Sequence, residues 1–143
     1  PADWTRNPTS SPRWECDAGG ESVRVDTSAG DTGNFDLLSP AIDMSGFAHA
    51  IIAFDARFDG HDGTASYDVI MQVLARTGSM LPTDDPILLW SSMDNQSSWW
   101  TFILDASAQL AGENSVQLIF RLFDGNSMRT GYFEVDNVRV ILY

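Results

Sequence analysis

The stretch Gly131-Tyr132-Phe133-Glu134-Val135-Asp136-Asn137-Val138-Arg139-Val140-Ile141-Leu142-Tyr143 decides the fold. Its apolar residues fall first on one parity, Phe133 and Val135, slip by one at Asp136-Asn137, and resume on the other as Val138, Val140 and Leu142. A period of two marks a half-buried strand, and a one-residue slip within it is the signature of a β-bulge. This reads as a bulged strand that closes a sandwich.

Upstream, Ala48 to Phe58 sets Ala50, Ile52, Phe54, Ala56 and Phe58 on one face against Ile51, Ala53, Asp55 and Arg57 on the other. A strand alternates its side chains in this way, so one face is core. Further strands are expected at Glu21 to Asp26, from Phe35 to Leu38 before Pro40, from Tyr67 to Arg76, at Ile87 to Ser91, along Trp99 to Asp105 and from Val116 to Phe123. Turn chemistry separates them, at Ala29 to Asn34, Asp59 to Thr64 and Asp124 to Ser127. Ser92 to Ser98 reads as a polar loop, Thr77 to Pro86 as the longest irregular stretch, and Ala106 to Ala111 as one helical turn closed by Gly112. About eight short strands with no helix of ordinary length predict an all-β chain, an antiparallel two-sheet β-sandwich of jelly-roll topology. The 143 residues fit one domain, with residues 1–20, rich in Pro and Gly, as an N-terminal arm anchored by Trp4 and Trp14 and carrying at most one short strand around Trp14.

Charge excludes some partners. A formal net charge of −12 repels phosphate backbones and anionic lipid heads, so nucleic acid is not an expected partner. No apolar run reaches membrane-spanning length, so no insertion is expected. All eight basic residues are arginines and most acids are aspartates set among Ser, Thr, Asn and Gly. Either the aspartates simply solvate the surface of a protein made for an extracellular or salty medium, or some gather to hold a hard cation such as Ca²⁺. Cys16 is the single cysteine and cannot form an internal disulfide. The chain opens at Pro1 without a signal-peptide pattern, which a mature secreted protein would also lack.

Several phrases together carry a family likeness: Leu38-Ser39-Pro40-Ala41-Ile42-Asp43-Met44-Ser45-Gly46, Ile52 to Phe58, Trp100 ahead of Leu104-Asp105, Gly112 to Arg121, and Tyr132 to Val138. They resemble the jelly-roll modules of the MAM and cleaved-adhesin type, over roughly residues 35 to 143. The resemblance implies a non-catalytic extracellular recognition or adhesion module, secreted or at the cell surface. It also implies a Ca²⁺ site in which Asp136 joins an acidic residue near the N-terminus, Glu15 or Asp17. The alternative for Asp136 is that it caps the bulge by accepting backbone N–H bonds.

Catalytic chemistry finds little to use. The two histidines, His49 and His61, stand at a strand start and in a turn, and Cys16 lies between the acidic Glu15 and Asp17, poor surroundings for a nucleophile. Asp84-Asp85 and Asp59/Asp62 are ordinary turn carboxylates. A non-enzyme is expected. A sugar site needs a flat aromatic and planar polar groups, and Trp99, on the outward parity, with Arg57, Arg121 and Asp55 could supply them on one face. Those arginines could equally do no more than pair with Asp55 or Glu134 across the sheet. A separate possibility is a structural subunit of an extracellular filament, in which an arm carrying Trp4 and Trp14 pairs with the open sheet edge of the next copy. The alternative is an arm folded over its own sheet. Asn95-Gln96-Ser97 fits the glycosylation sequon in an expected surface loop.

Overall fold

The computed structural model describes residues 3–9, 12–16, 19, 20, 22–59, 69–125 and 130–143. Asp17, His61, Asp62 and the expected strand start at Tyr67 lie outside the described residues. Two antiparallel sheets of five strands pack as a jelly-roll sandwich. In chain order the strands are β1 (Thr5–Asn7), β2 (Glu15–Cys16), β3 (Val23–Thr27), β4 (Gly33–Leu38), β5 (Ala50–Asp59), β6 (Val69–Thr77), β7 (Ile87–Ser92), β8 (Asn95–Asp105), β9 (Val116–Asp124) and β10 (Gly131–Leu142), with one helical turn α1 (Ser107–Leu110) before β9. The first sheet has the order β1-β4-β9-β6-β7 and the second β2-β3-β10-β5-β8.

The second sheet is built around β10. It pairs with β3 on one side and β5 on the other, and its register against β5 shifts between Asp136 and Arg139. Asn137 and Val138 thus oppose Phe54 alone, and Asn137 takes the left-handed backbone (φ 50°) that asparagine tolerates better than most residues. The slip keeps Phe133 and Val135, and then Val138, Val140 and Leu142, against the core.

Between the sheets Phe54, Phe58, Trp90, Phe102, Phe120 and Phe133 form a continuous aromatic layer, with edge-on packing such as Phe54 to Phe120 at 5.2 Å and Phe58 to Trp90 at 5.6 Å. Such offset and edge contacts are the geometry the ring quadrupoles prefer. The turn before β5 is also anchored in this core: Met44 is buried, and Ile42 makes an isolated bridge to Val116. Pro40 follows the end of β4, as its missing N–H requires.

Two expectations about chain organisation are corrected. The arm holds two short strands where at most one was expected, and both pair within the molecule: β1 with β4 at the edge of the first sheet and β2 with β3 at the edge of the second. Trp14 is fully buried, donates from Nε1 to the Phe35 carbonyl at 2.9 Å and packs edge-on to Phe133, while Trp4 packs against Phe120. Both tryptophans are thus the anchors expected of the arm, and an arm that covers a sheet edge satisfies backbone groups another copy would use. The stretch Asn95 to Ser98, expected as loop, is the start of β8 and pairs with the end of β5 through Gln96 and Asn95.

Candidate functional site

The outer face of the second sheet is where the polar and aromatic residues of the sequence converge. Alternation along β5 sends Ile51, Ala53, Asp55, Arg57 and Asp59 outward. On β10 the outward residues are Tyr132 and Glu134 before the bulge and Arg139 and Ile141 after it. Register then builds a row across the strands: Glu15 opposes Arg24, Arg24 opposes Glu134, and Glu134 opposes Arg57. Opposite charges facing each other across strands support the sheet.

Glu134 holds this row together. Its side chain is only 2% exposed, although it is on the outward parity, because Arg57 and Arg24 lie over it. Arg57 Nε donates to Oε2 at 2.7 Å, Arg24 Nη1 approaches the same oxygen at 3.5 Å, and Ser22 Oγ donates to Oε1 at 2.6 Å. Burial works against ionisation of this carboxyl. The hydrogen bonds from Arg57 and Ser22 and the two guanidinium charges outweigh it and hold the group below the usual carboxylate range.

Each arginine fixed by Glu134 also fixes an aromatic. The Arg57 guanidinium lies over the Trp99 ring at 5.1 Å, and that of Arg24, also paired with Asp26, lies over Tyr132 at 4.1 Å. Trp99 reaches Arg57 because β8 carries extra residues here: Ala56 opposes Trp100 and Phe58 opposes Gln96, leaving Ser97, Ser98 and Trp99 beside Arg57 alone. Trp99 remains 42% exposed. Next along the face, Asp55 accepts from Thr101 Oγ1 at 2.5 Å and Asn137 Nδ2 at 2.8 Å, and these bonds, that from Thr101 foremost, hold its carboxyl below the ordinary range. Ile103, Ile141 and Tyr143 extend the face as an exposed apolar end.

Of the residues expected to line one sugar-binding face, Trp99, Arg57 and Asp55 are together. Arg121 is not. It lies on β9 in the first sheet, where Nε and Nη2 grip the Asp36 carboxylate at 2.6 and 2.8 Å. The outward parity of Arg121 was readable in the sequence, but which sheet β9 joins depends on long-range pairing with β4 and β6. The face also includes Tyr132, Arg24 and Glu134, which the sequence reading did not put forward as ligand residues; the cross-strand register that joins them is set by the bulge and the neighbouring strands.

The residues named for Ca²⁺ are placed as follows. Asp136 Oδ1 accepts the Asn137 backbone N–H at 2.6 Å, which is the bulge-capping role. Glu15 pairs with Arg13 at 2.9 Å. Among the described residues, which do not include Asp17, no three of His, Cys, Asp or Glu gather where they could hold a metal ion. Asn95 is exposed at the first position of β8. No helix of the described chain is long and apolar enough to cross a membrane.

No protein-family model matches the chain, and no curated protein matches it in sequence. Solved structures match it along its length. The K1 cleaved adhesin domain of Lys-gingipain from Porphyromonas gingivalis W83 superposes with a TM-score of 0.65 at 16% identity, covering 100% of this chain and 92% of that one. The family 11 carbohydrate-binding module from Clostridium thermocellum, in complex with a β-1,3-1,4-mixed-linked tetrasaccharide, gives 0.61 at 17% identity over 99% and 89%. The N-terminal cellulose-binding domain of Cellulomonas fimi β-1,4-glucanase C gives 0.58 at 16% identity over 100% and 90%. The chain thus has the jelly-roll fold shared by cleaved-adhesin and carbohydrate-binding modules. At such identities the likeness is one of fold, and the face described above is this chain's own.

Proposed function

We propose that the protein is a non-catalytic recognition module, secreted or at the cell surface, that binds a neutral polysaccharide along the outer face of its second sheet. One observation carries the reading: two aromatics of this face, the exposed Trp99 and the half-buried Tyr132, each lie under an arginine held by carboxylates, Arg57 by the buried Glu134 and Arg24 by Asp26 with Glu134 beside it. A flat ring stacks on the C–H face of a pyranose, and forked guanidinium and carboxylate groups beside it meet ring hydroxyls. Because the groups are already bonded to one another, little side-chain freedom is lost on binding. The net charge of −12 supports a neutral ligand over an anionic one. The adhesin and carbohydrate-binding neighbours in fold agree with this class of function.

The test is affinity electrophoresis through gels containing soluble neutral polysaccharides: mixed-linkage β-glucan, hydroxyethylcellulose, xyloglucan and galactomannan. At least one should retard the protein, and Trp99→Ala should weaken that binding about tenfold or more, the usual effect of removing a central tryptophan. Migration unaffected by every polysaccharide, or equal retardation of Trp99→Ala, would refute the proposal.

A further inference from the structure

Trp100, the neighbour of Trp99, opens a second site on the other side of β8. It is on the inward parity opposite Ala56, yet it is 60% exposed, more than Trp99. The reason is its place at the sandwich edge. β7 is the edge of the first sheet and β8 that of the second, and the chain crosses between them at Met93 and Asp94. Between these two edge strands lies a cleft of about 240 Å³.

The floor of the cleft is aromatic and preformed: Trp90 packs on Phe102 at 5.1 Å and on Phe58 at 5.6 Å. Trp100 is a wall. Asp94, Asn95 and Gln96 line the cleft from the crossing. Two of them are held in place, Gln96 by donation from Nε2 to the Ser98 carbonyl at 2.8 Å and Asp94 by its backbone N–H to Ser92 Oγ at 3.1 Å.

We propose that this cleft is a second ligand site, which takes a single neutral hexopyranose ring at a chain end or branch of a glycan, stacked on Trp100. Pockets that enclose drug-sized ligands run from about 300 to 1,000 Å³, so this smaller one suits one ring and not a chain interior. Its mixture of an exposed indole with fixed carboxamide, carboxylate and hydroxyl groups suits a ring with one C–H face and a hydroxyl rim. Asp94 disfavours an anionic sugar. The site goes beyond the extended face proposed above: adjacent residues on β8 project to opposite sides, so Trp99 and Trp100 serve different ligands, and together they make the module bivalent.

The five tryptophan indole N–H signals of the chain, assigned by single Trp→Phe variants, report each site separately. The probes are methyl β-glucoside, methyl β-galactoside, methyl α-mannoside and N-acetylglucosamine. Single rings bind in the ~1 mM range or weaker, so titration runs to roughly 100 mM. At least one sugar should shift the Trp100 and Trp90 signals saturably, Gln96→Ala should weaken that response about tenfold, and Trp100→Ala should remove the Trp90 shift. Both variants alter exposed or half-buried positions, and their melting curves verify folding. No saturable shift at Trp100 and Trp90, or a Trp90 shift that survives Trp100→Ala, would overturn the proposal. So would a response to trimethyl-lysine alone, which would make the cleft an aromatic cage for a cation. The extended face is judged at Trp99, so the two readings fail independently.

Discussion

Replacing Glu134 with glutamine tests the group on which the binding face rests. Glutamine keeps the shape and an oxygen for the Ser22 hydroxyl, but removes the charge that fixes Arg57 and supports Arg24, whose main partner is Asp26. Removing one partner of a fully buried ion pair costs about 3–5 kcal/mol. Here the two arginine side chains are 36% and 34% exposed, so both can turn toward water, and solvent screening brings the expected loss down to about 2 kcal/mol. For a chain between the small and large domain classes that is a fall in Tm of roughly 6–8 °C. The dependence on pH identifies the cause. The folded-state pKa of Glu134 lies below the ordinary glutamate value of about 4.5, so its ionisation stabilises the fold fully above that value, and the contribution is lost as pH falls through the lowered folded pKa. The difference in Tm between the parent and Glu134→Gln should therefore be largest near neutral pH and shrink below about pH 4. Calorimetry at pH 7 and pH 3 measures it, and the other carboxylates titrate in both proteins and cancel in the difference. A Tm difference that is absent at pH 7, or as large at pH 3 as at pH 7, would refute the account of Glu134.

Other substitutions separate the binding face from the scaffold. Arg121→Ala should leave polysaccharide binding unchanged while lowering stability by about 3 kcal/mol, since it strands the nearly buried Asp36; urea titration beside affinity electrophoresis measures both, and weakened binding in a stable variant would return Arg121 to the site. Trp14→Ala should destabilise by about 3–5 kcal/mol, because it empties a fully buried position and orphans the Phe35 carbonyl; a near-parental urea midpoint would show that the arm is not part of the core. If the Asn137 N–H bond is the whole role of Asp136, melting curves in Ca²⁺ and in chelator should coincide, and a Ca²⁺-dependent rise in Tm would instead assign Asp136 a metal.

Much of the scaffold was legible in the sequence because it is written in short-range alternation. The parity slip at Asp136-Asn137 became the register shift of β10, and the pattern from Ala48 to Phe58 became β5 with the expected residues inward. The arm was legible in part: its tryptophan anchors and a short strand near Trp14 were expected, but β1 and β2 are three and two residues long, too short to show a period, and only tertiary pairing makes them strands. The candidate site was legible in half. Parity alone turned Trp99, Arg57 and Asp55 outward, but parity cannot say which strands share a sheet, so Arg121 was grouped with residues of the opposite layer. Nor can parity give exposure. Glu134 is outward yet covered by its own ion pairs, and Trp100 is inward yet open at an edge. Both outcomes depend on neighbours in other strands.

The most direct test of the central claim is a chemical-shift map with the polysaccharide fragment that the electrophoresis selects. Binding on the outer face of the second sheet predicts the largest shifts at the Trp99 indole, at the Arg57 and Arg24 Nε–H signals, and at the amides of Asp55, Thr101 and Tyr132. Shifts gathered instead on the first sheet, around Arg121, Phe123 and Leu74, would contradict it.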